Sequence, residues 1–490
     1  MLETLPSVQS KPIGRYLTPD RLTEDVHGIL NRHPAVGLAL GVVNKDGLEF
    51  FYGHGVADVA TGRPITADTV FRVASISKTF TAIAVMQLWE RGLVDLDAPA
   101  PQYLKSVTLS PVNPLFGPAT VRHLLTHTAG VPENVGHVGS LSRGWFAESV
   151  ALDEPIPSLA DYYRGGIRLT TEPGTNFKYT NHGYAILGQI VEDVSGASLD
   201  RYMRTEIFEP LGMDSTDLTR TSATETKLAG GYVIKPRGPR RITDRHWVTA
   251  AASSVYSTPA DMGRYLSGLL GGGTNDVGSV LEPSTVATMF AAHYRPDPRL
   301  PGMGLGFFRV DLGGHPAVEH QGILPGFNSQ IFLAPADGFA TMAFTNGSRQ
   351  AMFWLPVELS TLLGRIVGAA EARIRSDIPM RPDVWADLCG YYSVPALATD
   401  IRLRAMMGVG AQVFVRKGRL YVRVLTAVPS MYRGFELHPD DVDDPLSFRI
   451  DLSSYGLGTA RIVFRKGTSG EPASMSMDLM PLSFRRRPRS

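Results

Sequence analysis

The stretch from Gly304 to Asn346 restricts the fold more than any other part of the chain. GLGFFRVDL, HPAVEHQG, FNSQIFLAP and GFATMAFTN follow one another, parted by short turns at Gly313-Gly314 and Ala336-Asp337-Gly338. Turns this short join only antiparallel neighbours, because a parallel pair needs a crossover of about a dozen residues or more. A second hairpin is read near the start: Gly37 to Val43, a turn at Asn44-Lys45-Asp46-Gly47, and a return over Leu48 to Gly53. Between these strand regions the pattern is helical. Helices are expected over residues 20–32, from Lys78 onward, and over Thr120 to Leu125 with Thr120 as cap. Others are expected over Asn181 to Val194 (stopped near Gly196), Arg201 to Glu209, Met262 to Leu270, Pro283 to Ala292 and Phe353 to Val367. Residues 131–165 carry Gly136, Gly139, Gly144, Pro155 and Pro157 and read as an irregular excursion over a pocket. Residues 214–250 read as polar turns. The sum is an α+β arrangement.

From Glu371 the texture changes. Glu371 to Asp387 is charged and holds Pro379 and Pro382, as a linker would. Beyond it VFVRKGRLYVRVL, LSFRIDL, ARIVFRKG and SMSMDLMPLSF read as short strands without a long helix. The chain therefore divides into a unit at 1–370, a linker at 371–387 and a small antiparallel β domain, a sandwich or barrel, at 388–490.

Composition narrows the function classes. With 490 residues, 43% hydrophobic and 19% charged, the chain has ample material for a core. A net charge of +1 gives no electrostatic case for nucleic acid or an anionic membrane. Cys389 is the only cysteine, so disulfides within the chain and Cys-rich zinc sites are excluded; in LCGYY it reads as a buried small residue. There is no apolar run of membrane-spanning length and no secretory pattern at the N-terminus, so a cytoplasmic location is the default expectation. The RRRPRS ending at Ser490 reads as a frayed basic tail.

Chemistry is expected at Phe71 to Glu90, FRVASISKTFTAIAVMQLWE. Here Ser75 and Lys78 form a Ser-x-x-Lys at the start of an apolar helix. A helix start offers free N–H groups and a positive dipole end, and a lysine one turn on shares the serine's face. This makes Ser75 a candidate nucleophile and Lys78 its activator. A serine N-cap is the bland alternative. Tyr179 and Asn181 form a Tyr-x-Asn just before a helix, where Asn181 can also serve as cap, and His320-Gln321-Gly322 lies on a predicted strand. His123 and His127 stand four apart, as metal ligands can, but no His-Glu-x-x-His and no acidic third ligand accompany them, so a structural role is favoured and no metal is expected. Asp95 and Asp97 read as ordinary turn carboxylates.

These motifs, with RHLLTHTAG, PGTNFKYTNHGYAILGQIVEDVSG, FEPLGMDST and YSTPADMGRYL, resemble the serine β-lactamase and penicillin-binding-protein-like family over about residues 20–365. The likeness is closest to its class C branch and to the related esterases and D-aminopeptidases. It implies a cofactor-free serine hydrolase working through an acyl-enzyme on Ser75, with Lys78 as proton partner and Tyr179 as general base or relay. Asn181 would hold the substrate and Lys78. His320 and Gly322 stand where many members have Lys-Thr-Gly, and the backbone N–H groups of Ser75 and Ile323 would form the oxyanion hole. Either Lys78 as a neutral amine, or Tyr179 lowered by the field of Lys78, can take the serine proton. The missing lysine at His320 points away from β-lactam turnover and towards a small ester or a D-amino-acid peptide. A β-lactamase, a DD-peptidase and a non-catalytic scaffold member are the alternatives. The terminal domain resembles the lipocalin-like barrels of some relatives, which reach the active-site mouth or mediate homo-oligomer assembly. Arg122 and Arg143 cannot be placed relative to the pocket from sequence.

Overall fold

The two strand-rich stretches, far apart in the chain, meet in one antiparallel sheet. The computed structural model describes residues 18–133, 135, 148–370, 372–393, 408, 410–426, 429–468 and 472–487. Strands β1 (Gly37–Asn44), β2 (Gly47–Asp58) and β3 (Arg63–Pro64) come from the first hairpin region. Strands β4 (Phe308–Leu312), β5 (His315–Leu324), β6 (Phe327–Ala334) and β7 (Phe339–Thr345) come from the second. Their order is β4-β5-β6-β7-β1-β2-β3. The two regions join where β7 pairs with β1, Leu38 opposite Thr345 and Asn44 opposite Phe339.

Side chains alternate across this sheet, and both faces are covered. Leu38, Leu40, Val42, Phe332 and Phe339 pack under helices α1 (Pro19–Arg32) and α6 (Ala351–Val367). Ala39, Val43, Ile331, Met342 and Phe344 face the larger helical layer. A strand buried on both sides reads as nearly continuous apolar sequence, which is what GFATMAFTN is. At the centre of the helical layer runs α2 (Ser77–Glu90), buried on every side from Ser77 to Leu88 rather than along a single face. Around it lie α3 (Val121–Leu125), α4 (Asn181–Ser195) and α5 (Pro259–Leu270). Gly196, at φ 74°, ends α4 in the left-handed conformation that glycine adopts without strain.

Some expectations need correcting. The helix over 201–209 is a short α-helix, Leu199–Met203, that widens into a π turn at Arg204–Phe208. Residues 214–250 hold more order than turns: a helix at Ser222–Lys227 and a hairpin of Tyr232–Lys235 with Gly238–Arg241. The stretch at 131–165 lies partly outside the described residues, as does Arg143.

The C-terminal strands are β8 (Gly390–Ser393), β9 (Ala411–Arg416), β10 (Arg419–Val424), β11 (Phe435–Glu436) and β12 (His438–Pro439). They continue as β13 (Ser447–Asp451), β14 (Thr459–Arg465), β15 (Ser474–Met477) and β16 (Ser483–Arg486). All nine form one antiparallel, nearly closed barrel in the order β11-β10-β9-β8-β16-β15-β14-β13-β12. The basic ending is therefore not wholly frayed: Arg485 and Arg486 pair with Ser393 and Tyr392, and Arg486 Nη1 donates to Asp387 O at 2.7 Å. Cys389 is half-buried rather than buried.

The barrel shares a core with the helical layer. Phe177 and Met303, both buried, belong to the same apolar cluster as Val384, Trp385, Met475 and Phe484, and Tyr179 and Phe308 pack against it. Arg299 fastens the contact, donating to Asp297, to Asp444 Oδ2 at 2.7 Å and to Phe464 O at 2.7 Å.

Candidate active site

Ser75 sits in a single 3-10 turn, Ala74–Ile76, that leads from the Phe71–Arg72 strand into α2. Ala74 has φ 52°, a left-handed conformation that costs a non-glycine residue about 1–2 kcal/mol. Ser75 is not a cap. The α-helix begins at Ser77, and no side chain caps it. Ser77 Oγ instead ties the turn down, donating to Ala74 O at 2.6 Å and accepting from Val255 N at 3.0 Å.

Lys78 is fully buried one turn on, and its ammonium nitrogen has three neighbours. They are Ser75 Oγ at 3.0 Å, Asn181 Oδ1 at 2.8 Å and Ala252 O at 3.0 Å. Burial brings Lys78 down from 10.5 to about 7, against the opposing pull of Glu148 and Glu133. A neutral amine has two hydrogens and one lone pair. Asn181 Oδ1 and Ala252 O can only accept, so they take the two hydrogens, and the lone pair is left facing the Ser75 hydroxyl.

Asn181 is oriented for this. Thr180, not Asn181, caps α4, its hydroxyl accepting from His182 N at 3.2 Å. Asn181 Nδ2 donates to Glu148 Oε2 at 3.2 Å, which turns Oδ1 towards Lys78. Glu148 is itself buried and also accepts from Thr249 Oγ1 at 2.9 Å.

Tyr179 lies over the same group, its ring centroid 4.8 Å from Lys78 Nζ, and its hydroxyl is hydrogen-bonded to Ser75 Oγ. Burial pushes its phenol well above the ordinary value of 10, and the bond to Ser75 only partly offsets this. Of the two routes left open by the sequence, burial thus works against a Tyr179 lowered by Lys78. His127 packs tilted against Tyr179, ring centroids 4.4 Å apart, and against Tyr184 at 4.9 Å. It lies beyond the end of α3 at φ 56°, so it does not share a helix face with His123. His123 instead completes the cap of α3. No group of three or more potential metal ligands occurs among the described residues.

Strand β5 passes against the serine turn. A Cβ on Gly322 would lie 2.2 Å from Val73 O and 3.1 Å from the Ala74 Cβ, so only glycine lets the two backbones come this close. Ser329 Oγ, across from Gly322, donates to Val73 O at 2.7 Å. Ile323 follows, half-buried and paired with Asn328. His320 is 1% exposed and edge-on to Phe308, which stacks near Tyr179. Its Nδ1 lies 2.8 Å from Gln321 O, so the proton is on Nδ1 and Nε2 is an unpartnered acceptor. Burial and the nearby Lys78 bring His320 down to about 3, so it stays neutral.

All seven residues singled out in the sequence therefore converge here. Glu148 and the Ala252 carbonyl complete the site and were not foreseen, and His127, read from the sequence only as a structural histidine, lies beside it. The run Ala250-Ala251-Ala252-Ser253-Ser254 carries one faint signal, small side chains that permit close packing: a Cβ on Gly188 would come 2.6 Å from that of Ala251. Arg122 is engaged elsewhere, bidentate to Asp97 at 2.7 Å for each nitrogen and 2.7 Å from His293 Nδ1, so Asp97 is more than a turn carboxylate.

Residues 22–355, more than half of the chain, match the family model described as Beta-lactamase. Penicillin-binding protein 4* of Bacillus subtilis (strain 168) is 30% identical over 243 residues, 48% of this chain and 48% of its own length. The chain thus spans about half the length of that relative. Esterase EstB of Burkholderia gladioli is 30% identical over 349 residues, 64% of this chain and 87% of its own. The solved octameric penicillin-binding protein homologue from Pyrococcus abyssi has a TM-score of 0.59 at 21% identity, covering 95% of this chain and 99% of that one, a likeness of fold. By the extent of the family match and the geometry around Ser75 alike, the chain belongs to the beta-lactamase family.

Proposed function

We propose that the protein is a serine hydrolase that forms an acyl-enzyme on Ser75, within a hydrolase unit at 1–370 joined through 371–387 to the unit at 388–490. The observation that carries this reading is the buried Lys78 Nζ standing 3.0 Å from Ser75 Oγ. The Ser75 oxygen attacks the substrate carbonyl as its proton passes to Lys78, and the backbone N–H groups of Ser75 and Ile323 receive the oxyanion. The Oγ–C bond forms and the bond to the leaving oxygen or nitrogen breaks. Tyr179, still protonated, gives its proton to that leaving atom and recovers one from Lys78. Water then reverses these roles to release the acid.

The substrate is a small ester or an amide such as a D-amino-acid peptide. Supporting this over a β-lactam is His320, whose Nε2 accepts and carries no charge. It offers no cation to a substrate carboxylate at the strand position where many relatives have lysine.

The test is labelling of the full chain with a fluorophosphonate probe. Wild type should carry the adduct on Ser75, and Ser75→Ala should lose both the adduct and p-nitrophenyl acetate turnover, the latter by about 10⁴- to 10⁶-fold. Retention of both in Ser75→Ala would overturn the proposal. Rapid hydrolysis of nitrocefin relative to D-alanyl p-nitroanilide and p-nitrophenyl acetate would overturn the substrate assignment alone.

A further inference from the structure

A cavity of about 380 Å³ opens beside the end of β5, at Leu324 and Phe327. Its described walls carry four guanidinium groups, Arg72, Arg220, Arg241 and Arg245, against two carboxylates, Glu225 and Asp244. Asp244 is shared: it accepts from Arg72 Nη1, from Arg220 Nη1 at 3.5 Å and from Tyr256 OH at 3.2 Å. Arg220 also pairs with Glu225 Oε1 at 2.7 Å and Arg241 with Asp58 Oδ2 at 2.7 Å, so the four guanidinium groups meet three carboxylates and the cluster keeps a net positive charge. Arg72 is 2% exposed and stacks on Tyr256 at 4.6 Å, yet its Nε has no partner. A buried donor left unpaired is costly, and a nearby oxyanion lowers that cost. Leu152 and Trp247 add apolar wall, so the cavity suits a ligand with a greasy stem and a charged end.

The cavity is built from the same chain segments as the serine site. Arg72 stands three residues before Ser75, and three residues of extended chain span at most about 11 Å. Leu324 follows Ile323 on β5. Arg245 Nε is held by Ser149 Oγ at 2.8 Å, next to Glu148. The direction along β5 also follows. Tyr179, which faces the leaving atom, lies near Phe308, at the His320 end of the strand. The acyl part of a substrate then runs the other way, towards Leu324.

We propose that this cavity binds an oxyanion, a carboxylate foremost, carried at the far end of the substrate's acyl group. The inference rests on the Ser75 acyl-enzyme reading and adds a substrate class to it: monoesters and monoamides of dicarboxylic acids.

The experiment compares p-nitrophenyl hydrogen adipate with its neutral counterpart p-nitrophenyl hexanoate on the full chain. Wild type should favour the adipate ester in kcat/KM by about tenfold or more, through KM, and Arg220→Gln/Arg245→Gln should bring the ratio towards one. Arg245→Lys should keep more of the ratio than Arg245→Gln. A wild-type ratio near one, or a ratio unmoved in the double variant, overturns the proposal. If the double variant fails to fold, the ratio is read in Arg241→Gln, whose side chain is largely exposed. If wild type hydrolyses neither ester and resists the fluorophosphonate probe, the acyl-enzyme reading has failed, and binding of adipate itself by calorimetry decides on the cavity. Loss of that binding in the arginine variants supports it, and no binding to wild type overturns it. Inorganic phosphate that binds without competing with the adipate ester would assign the cavity to a free anion and overturn the acyl assignment.

Discussion

A charged amine with no solvent exposure is expensive, and Lys78 escapes the expense by giving up its proton readily. With a folded value near 7, well below 10.5, the reactive neutral form dominates above pH 7 and is lost below it. The expected kcat/KM therefore falls about tenfold per pH unit on the acid side of 7 and is flat just above it. His320, near 3, adds no second limb in this range. Glu148 holds Lys78 up by its charge, so Glu148→Gln should shift the limb to lower pH, and pH–rate profiles of the two proteins check the sign. An unmoved limb would remove Lys78 from the proton path. Ser75, Lys78, Tyr179 and Asn181 were legible because each belongs to a short local pattern. Glu148 was not, because its meaning lies in a contact 33 residues away, and an isolated glutamate in GWFAESV looks like any surface carboxylate.

At the scale of elements, the approach of β5 to the serine turn is the dimension that matters most. It depends on Gly322, whose added Cβ would meet Ser329 Oγ at 2.1 Å as well as Val73 O. Gly322→Ala should lower stability by about 1–3 kcal/mol, read in urea melts, and depress kcat more than KM as the strand moves off Ser75. A variant with native stability and kcat would show that the approach has slack. The strands themselves were readable because hairpin turns leave few options for pairing. The Tyr232–Lys235 and Gly238–Arg241 hairpin was not, because each strand has four residues and the second, Gly-Pro-Arg-Arg, is mostly exposed and charged. The π turn at Arg204–Phe208 follows Leu199–Met203 without any break in apolar spacing, so sequence shows one helix where the structure has two geometries.

Over the whole molecule, the barrel forms part of the apolar wall of the candidate site, since Phe177, Phe308 and Tyr179 pack in or against a core that the barrel strands complete. Periodicity showed that a β unit existed but not where it docked, because the contact is made by scattered residues such as Arg299, Asp444 and Met475. Ending the chain near residue 380 should lower kcat/KM by about 10²-fold, the scale of a displacement of roughly 1 Å in a reacting group. Arg299→Ala is the milder version and should cost about 1–3 kcal/mol in melts of the full chain. Unchanged esterase kinetics in the shortened chain would detach the barrel from catalysis. The order of strands has a temporal meaning as well. β8 pairs with β16, so the barrel cannot close until Ser483–Arg486 has been synthesised. At about 5–20 residues per second a ribosome takes roughly 15–60 s to travel from Tyr179 to β16. For that interval Ser75 and Tyr179 exist without the barrel core that later packs against the tyrosine, so the candidate site is complete only with the last strand and not with the serine.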